Sequence, residues 1–218
     1  MAMIASLQVI NKAIDGGEFE RASKLLVPLI NSYPDDPEIR LHYALVLSQL
    51  NELEKALMQL KILSKDYSQV PAVSINYGDI LNRLGRNEEA IEVLSRFVRK
   101  RPRFFLARFN LAQALNDAGH LDEAIAEYRM ALAHAPDQGD AWFSLGKLLL
   151  NDGRAAEAID CFTQALERLP EMCQPKVAQQ LRRAWQLQGY AVKEPAILRR
   201  ERDELSALYD SLAHHSGH

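Results

Sequence analysis

Three residue columns recur along this chain at a fixed step of 34, and that recurrence restricts the fold more than any other feature of the sequence. One column holds Ala22, Ala56, Ala90, Ala124 and Ala158. A second holds Gly17, Asn51, Gly85, Gly119 and Gly153, with Asn standing once for Gly, as a residue tolerant of left-handed backbone can. The third holds Pro34, Ser68, Pro102, Pro136 and Pro170. Chance does not keep three independent columns in register over five units. A small unit repeated in this way cannot bury its apolar faces alone, so each must stack on its neighbours.

The fifth unit, 139–172, shows what is being repeated. Trp142, Leu145 and Leu149, then Ala158, Ile159, Phe162 and Leu166, fall at the three- and four-residue steps of a helix, and Asp152-Gly153 interrupts them where a helix must end. The pattern predicts two antiparallel helices. Gly146 and Ala158 are the small residues that let the two approach, and Pro170 stops the second. In the column of Gly146 stand Ile10, Ala44, Gly78 and Ala112, and the bulk of Ile10 predicts looser nesting of the first pair. Asp36-Pro37 and Pro71 supply N-cap and first-turn signals for the second and third units.

Trp142, Leu145, Gly146, Leu149, Ala158, Phe162 and Pro170 match the spacing W-x2-L-G-x2-Y…A-x3-F…P with Leu at the Tyr position, and on these residues the chain resembles the tetratricopeptide repeat family. The resemblance implies an all-α fold, a right-handed α-solenoid of five helix-turn-helix repeats at 3–36, 37–70, 71–104, 105–138 and 139–172. Beyond Met172 the columns fail. Val177, Leu181, Ala184 and Leu187 mark one side of a polar helix, which predicts a capping helix within 173–190. Pro195 then opens a further amphipathic helix, 195–213, with Leu198, Leu205, Leu208 and Leu212 on one stripe.

Composition excludes several classes. With 48% hydrophobic residues and a net charge of −3, the chain reads as globular, not as a nucleic-acid or membrane-surface binder. Its first residues lack a basic n-region, and Asn11, Lys12 and Asp15 break the apolar run, so a cytoplasmic location without a membrane span is expected. Cys161 and Cys173 read as reduced thiols and not as a disulfide scaffold. The histidines show no metal-ligand spacing, and no phosphate-binding loop is present. Gly16-Gly17-Glu18-Phe19 resembles a cyclic-dinucleotide synthase signature but is one residue short and occupies the turn column. No catalytic constellation, metal or cofactor is therefore expected.

What remains is surface. In the family that the chain resembles, the first helices of successive repeats line a concave groove that holds an extended peptide or a partner helix. Carried over, the resemblance makes His42, Asn76, Asp79, Phe109, Asn110, Gln113 and Phe143 the partner-binding residues. Asn76 and Asn110 share one position of consecutive repeats, where an amide can both donate to and accept from a peptide unit, and Asn76, Phe109 and Asn110 are expected to be exposed. The basic residues of the family's carboxylate clamp are absent: Leu41, Leu106 and Asn110 occupy those positions. Arg96, Arg99, Lys100, Arg101, Arg103 and Arg108 form a basic segment, read either as a solvated helix end or as a contact for an anionic partner.

The function expected is that of a non-catalytic scaffold for a protein or peptide partner. Two alternatives stand beside it. The array is the N-terminal part of a larger glycosyl-, sulfo- or methyltransferase, or it is a self-assembly module joined weakly through 195–213.

Overall fold

A computed structural model describes residues 2–188, with side chains from residue 7 onward; the helix expected at 195–213, and self-assembly through it, lie outside the described residues. Among these residues all regular structure is helical. The helices come in pairs: α1 (Ala2–Asp15) with α2 (Phe19–Ser32), α3 (Pro37–Gln49) with α4 (Leu53–Tyr67), and α5 (Pro71–Arg83) with α6 (Asn87–Lys100). Then follow α7 (Phe105–Asp117), α8 (Leu121–His134), α9 (Gly139–Asn151), α10 (Ala155–Arg168), a 3-10 turn (Glu171–Cys173) and α11 (Gln174–Leu187).

The short turn inside each pair is the same backbone device used five times. Gly17, Gly85, Gly119 and Gly153 have φ of +72°, +71°, +87° and +79°, and Asn51 has φ of +58°. The residue after each donates its N–H to the carbonyl five back: Glu18 to Ala13, Glu52 to Leu47, Arg86 to Leu81, His120 to Leu115 and Arg154 to Leu149, all at 2.8–2.9 Å. The left-handed residue itself bonds three back, as in Gly17 to Ile14 at 2.9 Å. These two bonds are the Schellman closure, which satisfies the last carbonyls of a helix and reverses the chain.

The ends of the second helices follow the proline column. α2, α6, α8 and α10 stop two residues before Pro34, Pro102, Pro136 and Pro170, because the residue preceding a proline is driven out of the helical region. α4 faces Ser68 instead and runs one residue further in register, to Tyr67. At the start of α3, the Asp36 carboxylate accepts from the N–H groups of Glu38 and Ile39 at 2.9 and 3.0 Å, with Pro37 in the first turn.

A further column was not apparent from residue types. Six positions after each of the first four members of the proline column stands a side-chain donor that bonds back to that member's carbonyl. Ser74 donates to Ser68 at 2.7 Å, Arg108 to Pro102 at 2.5 Å and Trp142 to Pro136 at 2.8 Å, and Arg40 does the same to Pro34. The loop between pairs is thereby tied to the first helix of the next pair.

The chain divides into two compact units, residues 1–127 and 128–218. In the first, each helix from α1 to α7 packs on the next, and α5 also packs on α3 and on α7. Its leading core joins Ile10, Ala13, Ala22, Leu26, Ile39 and Val46. Ile10, the bulky member of the small-residue column, is fully buried there. In the second unit α9 packs on α10, and α11 covers both. Val177, Ala178, Leu181 and Ala184 form the buried side of α11, whereas Leu187, expected on that side, is 62% exposed because it lies in the last turn, at the helix's outer end.

Two glycines mark where paired helices touch. A Cβ on Gly78 would lie 2.5 Å from Leu94, and one on Gly146 would lie 2.7 Å from the Phe162 ring. Leu94 and Phe162 are themselves fully buried, so neither can step aside. Gly78→Ala should therefore lose about 1 to 3 kcal/mol in urea melts despite the better helix propensity of alanine. Ending the chain at Met172 should expose the side of α10 that α11 covers and lower the melting temperature, at a cost of about 5 kcal/mol for the apolar side chains lost. An unchanged melt would make α11 a linker.

Candidate functional site

The step of 34 places equivalent residues of α1 and α3 side by side: Asn11 with Leu45 and Asp15 with Gln49. Between them opens a hollow of about 590 Å³, lined by Asn11, Ile14 and Asp15 of α1, Phe19 at the start of α2, and His42, Leu45, Val46 and Gln49 of α3. Its lining combines the apolar side chains of Ile14, Phe19, Leu45 and Val46 with the polar groups of Asn11, Asp15, His42 and Gln49. The His42 Nδ1–H donates to the carbonyl of Glu38 at 2.8 Å, which holds the ring against its own helix and leaves Nε2 as an acceptor in the neutral form. Of the seven partner-binding residues named from the sequence only His42 lies here, beside Leu45 and Gln49, which the resemblance also turns toward the groove. A step of 34 residues back from Leu45, Ser48 and Gln49 of α3 would have found Asn11, Ile14 and Asp15.

The other expected residues are placed differently. Asn76 is half-buried, and one N–H of its amide donates to the carbonyl of Ala72 at 2.6 Å, so its carbonyl oxygen and second N–H are the groups left for a partner. Asn110 was expected to be exposed and is 7% exposed. It sits where α5 packs on α7, and the Asn82 amide crosses from α5 to donate to the Asn110 backbone carbonyl at 2.9 Å. Phe109 is half-buried, its ring stacked on Phe105 at 5.8 Å. Burial raises the Asp79 carboxyl above its usual range, opposed by the Arg83 guanidinium 3.9 Å away. Gln113 is half-buried on the same helix as Phe109. Arg83 also donates to the Ser48 hydroxyl at 2.6 Å, tying the end of α5 to the end of α3.

In the second unit Phe143 lies half-buried on α9 against Phe162, centroids 5.9 Å apart. The ammonium groups of Lys147 and Lys176 each stand 5.8 Å from its ring centroid. A separate hollow of about 370 Å³ is lined by Trp142, Leu145, Leu149, Arg129, Glu157 and Cys161, among others. Arg129 bridges to Glu157 at 2.5 Å, and burial pushes the Cys161 thiol up to about 12, which leaves it inert at neutral pH.

The basic segment is smaller than the sequence implied. Arg108 is 7% exposed; besides its bond to Pro102 it pairs with Glu127, so it belongs to the structure and not to a surface. Arg96 pairs with Glu92 at 2.6 Å. Arg99, Lys100, Arg101 and Arg103 remain exposed. Among the described residues no group of three or more His, Cys, Asp or Glu side chains could hold a metal, and no helix is long and apolar enough to cross a membrane.

Helical pairs closed by left-handed turns and stacked on their neighbours define an α-solenoid of the kind that serves as a protein-interaction scaffold. The family model described as tetratricopeptide repeat matches residues 49–103, 76–138 and 109–172, more than half of the chain, and the chain belongs to that family. Among solved structures it is similar to MamA from Desulfovibrio magneticus RS-1 (residues 41 to the end), with 20% identity over 75% of this chain and 92% of that one and a TM-score of 0.69. It is also similar to TTC0263, a thermophilic tetratricopeptide repeat protein of Thermus thermophilus, with 23% identity over 81% and 97% of the two chains and a TM-score of 0.67. At such identities the likeness is one of fold. No curated protein matches the chain.

The Arg108–Glu127 pair gives a direct test of the reassigned arginine. Glu127→Ala strands a guanidinium whose side chain is 9% exposed and should cost about 3 kcal/mol in urea unfolding. Glu127→Gln, which keeps an acceptor, should cost less. Equal and negligible effects would return Arg108 to the surface.

Proposed function

We propose that this chain is a non-catalytic scaffold that holds an extended peptide or a helix of a partner protein along its first helices. The hollow between α1 and α3 carries the reading: apolar side chains and four polar groups line a space large enough for a bulky apolar side chain of the partner. The polar groups there, with the Asn76 carbonyl oxygen, then pair with the partner's backbone or polar side chains. Phe109, Gln113 and Asp79 extend the contact within the same unit. Phe143 supplies a separate aromatic contact in the second unit. Asn110 contributes by fixing α7, not by touching the partner. A protein partner, and not a nucleic acid, fits a chain whose net charge is −3.

Leu45 and Phe109 are only partly covered, so changing them should spare the fold and weaken the complex. With a partner captured by the full chain and titrated by calorimetry, Leu45→Glu should reduce affinity tenfold or more, since a buried leucine contributes about 1.5 to 3 kcal/mol. Phe109→Ala should reduce it several-fold, and thermal melts of both variants should stay close to the parent. Full affinity in the double variant would place the binding surface elsewhere.

A further inference from the structure

Phe143 is the one expected contact residue around which the structure gathers charge that the repeat pattern did not announce. Lys147 follows it by one turn on α9; Lys176 reaches it from α11, outside the repeat columns. Both ammonium groups lie 5.8 Å from the ring centroid, within the range of cation–π attraction. Both lysines are exposed, and among the described residues neither has an ion-pair partner. α11 adds Arg182 and Arg183 and contains no acidic residue, while the only acid on α9 is Asp140, in the first turn and away from Lys147. Two like charges drawn to one aromatic ring repel each other, and the repulsion is relieved when an anion sits between them.

Resting on the reading of the chain as a peptide-binding scaffold, we propose that Phe143, Lys147 and Lys176 form a subsite for an acidic side chain, aspartate or glutamate, flanked by an apolar residue of the partner segment. The apolar neighbour packs on the open part of the Phe143 ring, and the carboxylate is shared by the two ammonium groups. Phe162 packs against the same ring and takes part of its area, and the whole chain is acidic, so a single carboxylate fits better than a polyanion. This is not a terminal-carboxylate clamp: Lys176 belongs to the cap, and the acceptor sought is a side chain.

The probes are three blocked pentapeptides, Ala-Leu-Glu-Leu-Ala, its Gln counterpart and its Lys counterpart, together with an oligomer of deoxythymidine. Each is titrated into the full chain carrying ¹³C-labelled phenylalanine rings and lysine ε-methylenes. The Glu peptide should shift the signals of Phe143, Lys147 and Lys176 and bind several-fold more tightly than the Gln peptide. That advantage should shrink from 0.1 M to 1 M salt as the screening length falls from about 10 Å to about 3 Å. In the Lys147→Glu, Lys176→Glu variant the preference should pass to the Lys peptide, with melting unchanged because both side chains are exposed. Equal affinity for the Glu and Gln peptides, no shift at Phe143 up to about 10 mM peptide, or a response to the oligonucleotide alone would overturn the proposal. A captured partner that is lost with Leu45→Glu while the Glu peptide leaves Phe143 unmoved keeps the scaffold reading and sinks this one. The converse result keeps the subsite and sinks the hollow.

Discussion

Every pair of helices in this chain hangs on one residue with a positive φ. Without it, the N–H groups that follow could not return to the carbonyls three and five back, and the first helix of the pair would end with its last carbonyls unpaired and the chain unreversed. Glycine meets the requirement at least cost, and Asn51 shows that the column selects a backbone conformation and not a residue name. Once the turn is closed, the small-residue column decides how near the second helix comes. At Gly78 and Gly146 the approach is so close that a single methyl group would collide with a fully buried neighbour.

The second recurring constraint is the donor that clamps the loop between pairs. Arg40, Ser74, Arg108 and Trp142 share no size or charge, only an N–H or O–H in the same register, and each closes on the carbonyl six residues earlier. Two of them reach further in parallel ways: Arg40 to Gln59 at 2.6 Å and Arg108 to Glu127. Charge that looks available for a partner in the sequence is thus committed to holding successive pairs together. This is why Arg108 drops out of the basic segment, while Arg96 pairs with Glu92 on its own helix.

The same commitment of polar groups limits what the surface can offer a partner. His42 and Asn76 each give a donor to their own helix, which leaves the His42 Nε2 and, on Asn76, the carbonyl oxygen with one N–H, and the hollow beside α1 supplies apolar area. The second unit differs in kind, because Lys147 and Lys176 keep their charges uncommitted beside an aromatic ring. Affinity on such a surface comes from a few apolar anchors, while the polar groups select orientation and partner chemistry.

The sequence by itself determined the helical pairs, the left-handed turns, the stops before proline and the family, because these are backbone requirements that recur every 34 residues and leave the same residue types behind. It also placed His42 and Phe143 on the faces where a hollow and a charged aromatic spot are found. Side-chain exposure was decided only by the tertiary structure. Asn110 and Asn76 hold the same repeat position, yet Asn110 is buried where Asn82 crosses to it, and Arg108 leaves the surface for Glu127. Lys176 reaches Phe143 from a helix that obeys no repeat column. Burial depends on what the neighbouring pair happens to present at the contact, and a periodic pattern fixes that the neighbour is there without fixing which side chain it brings.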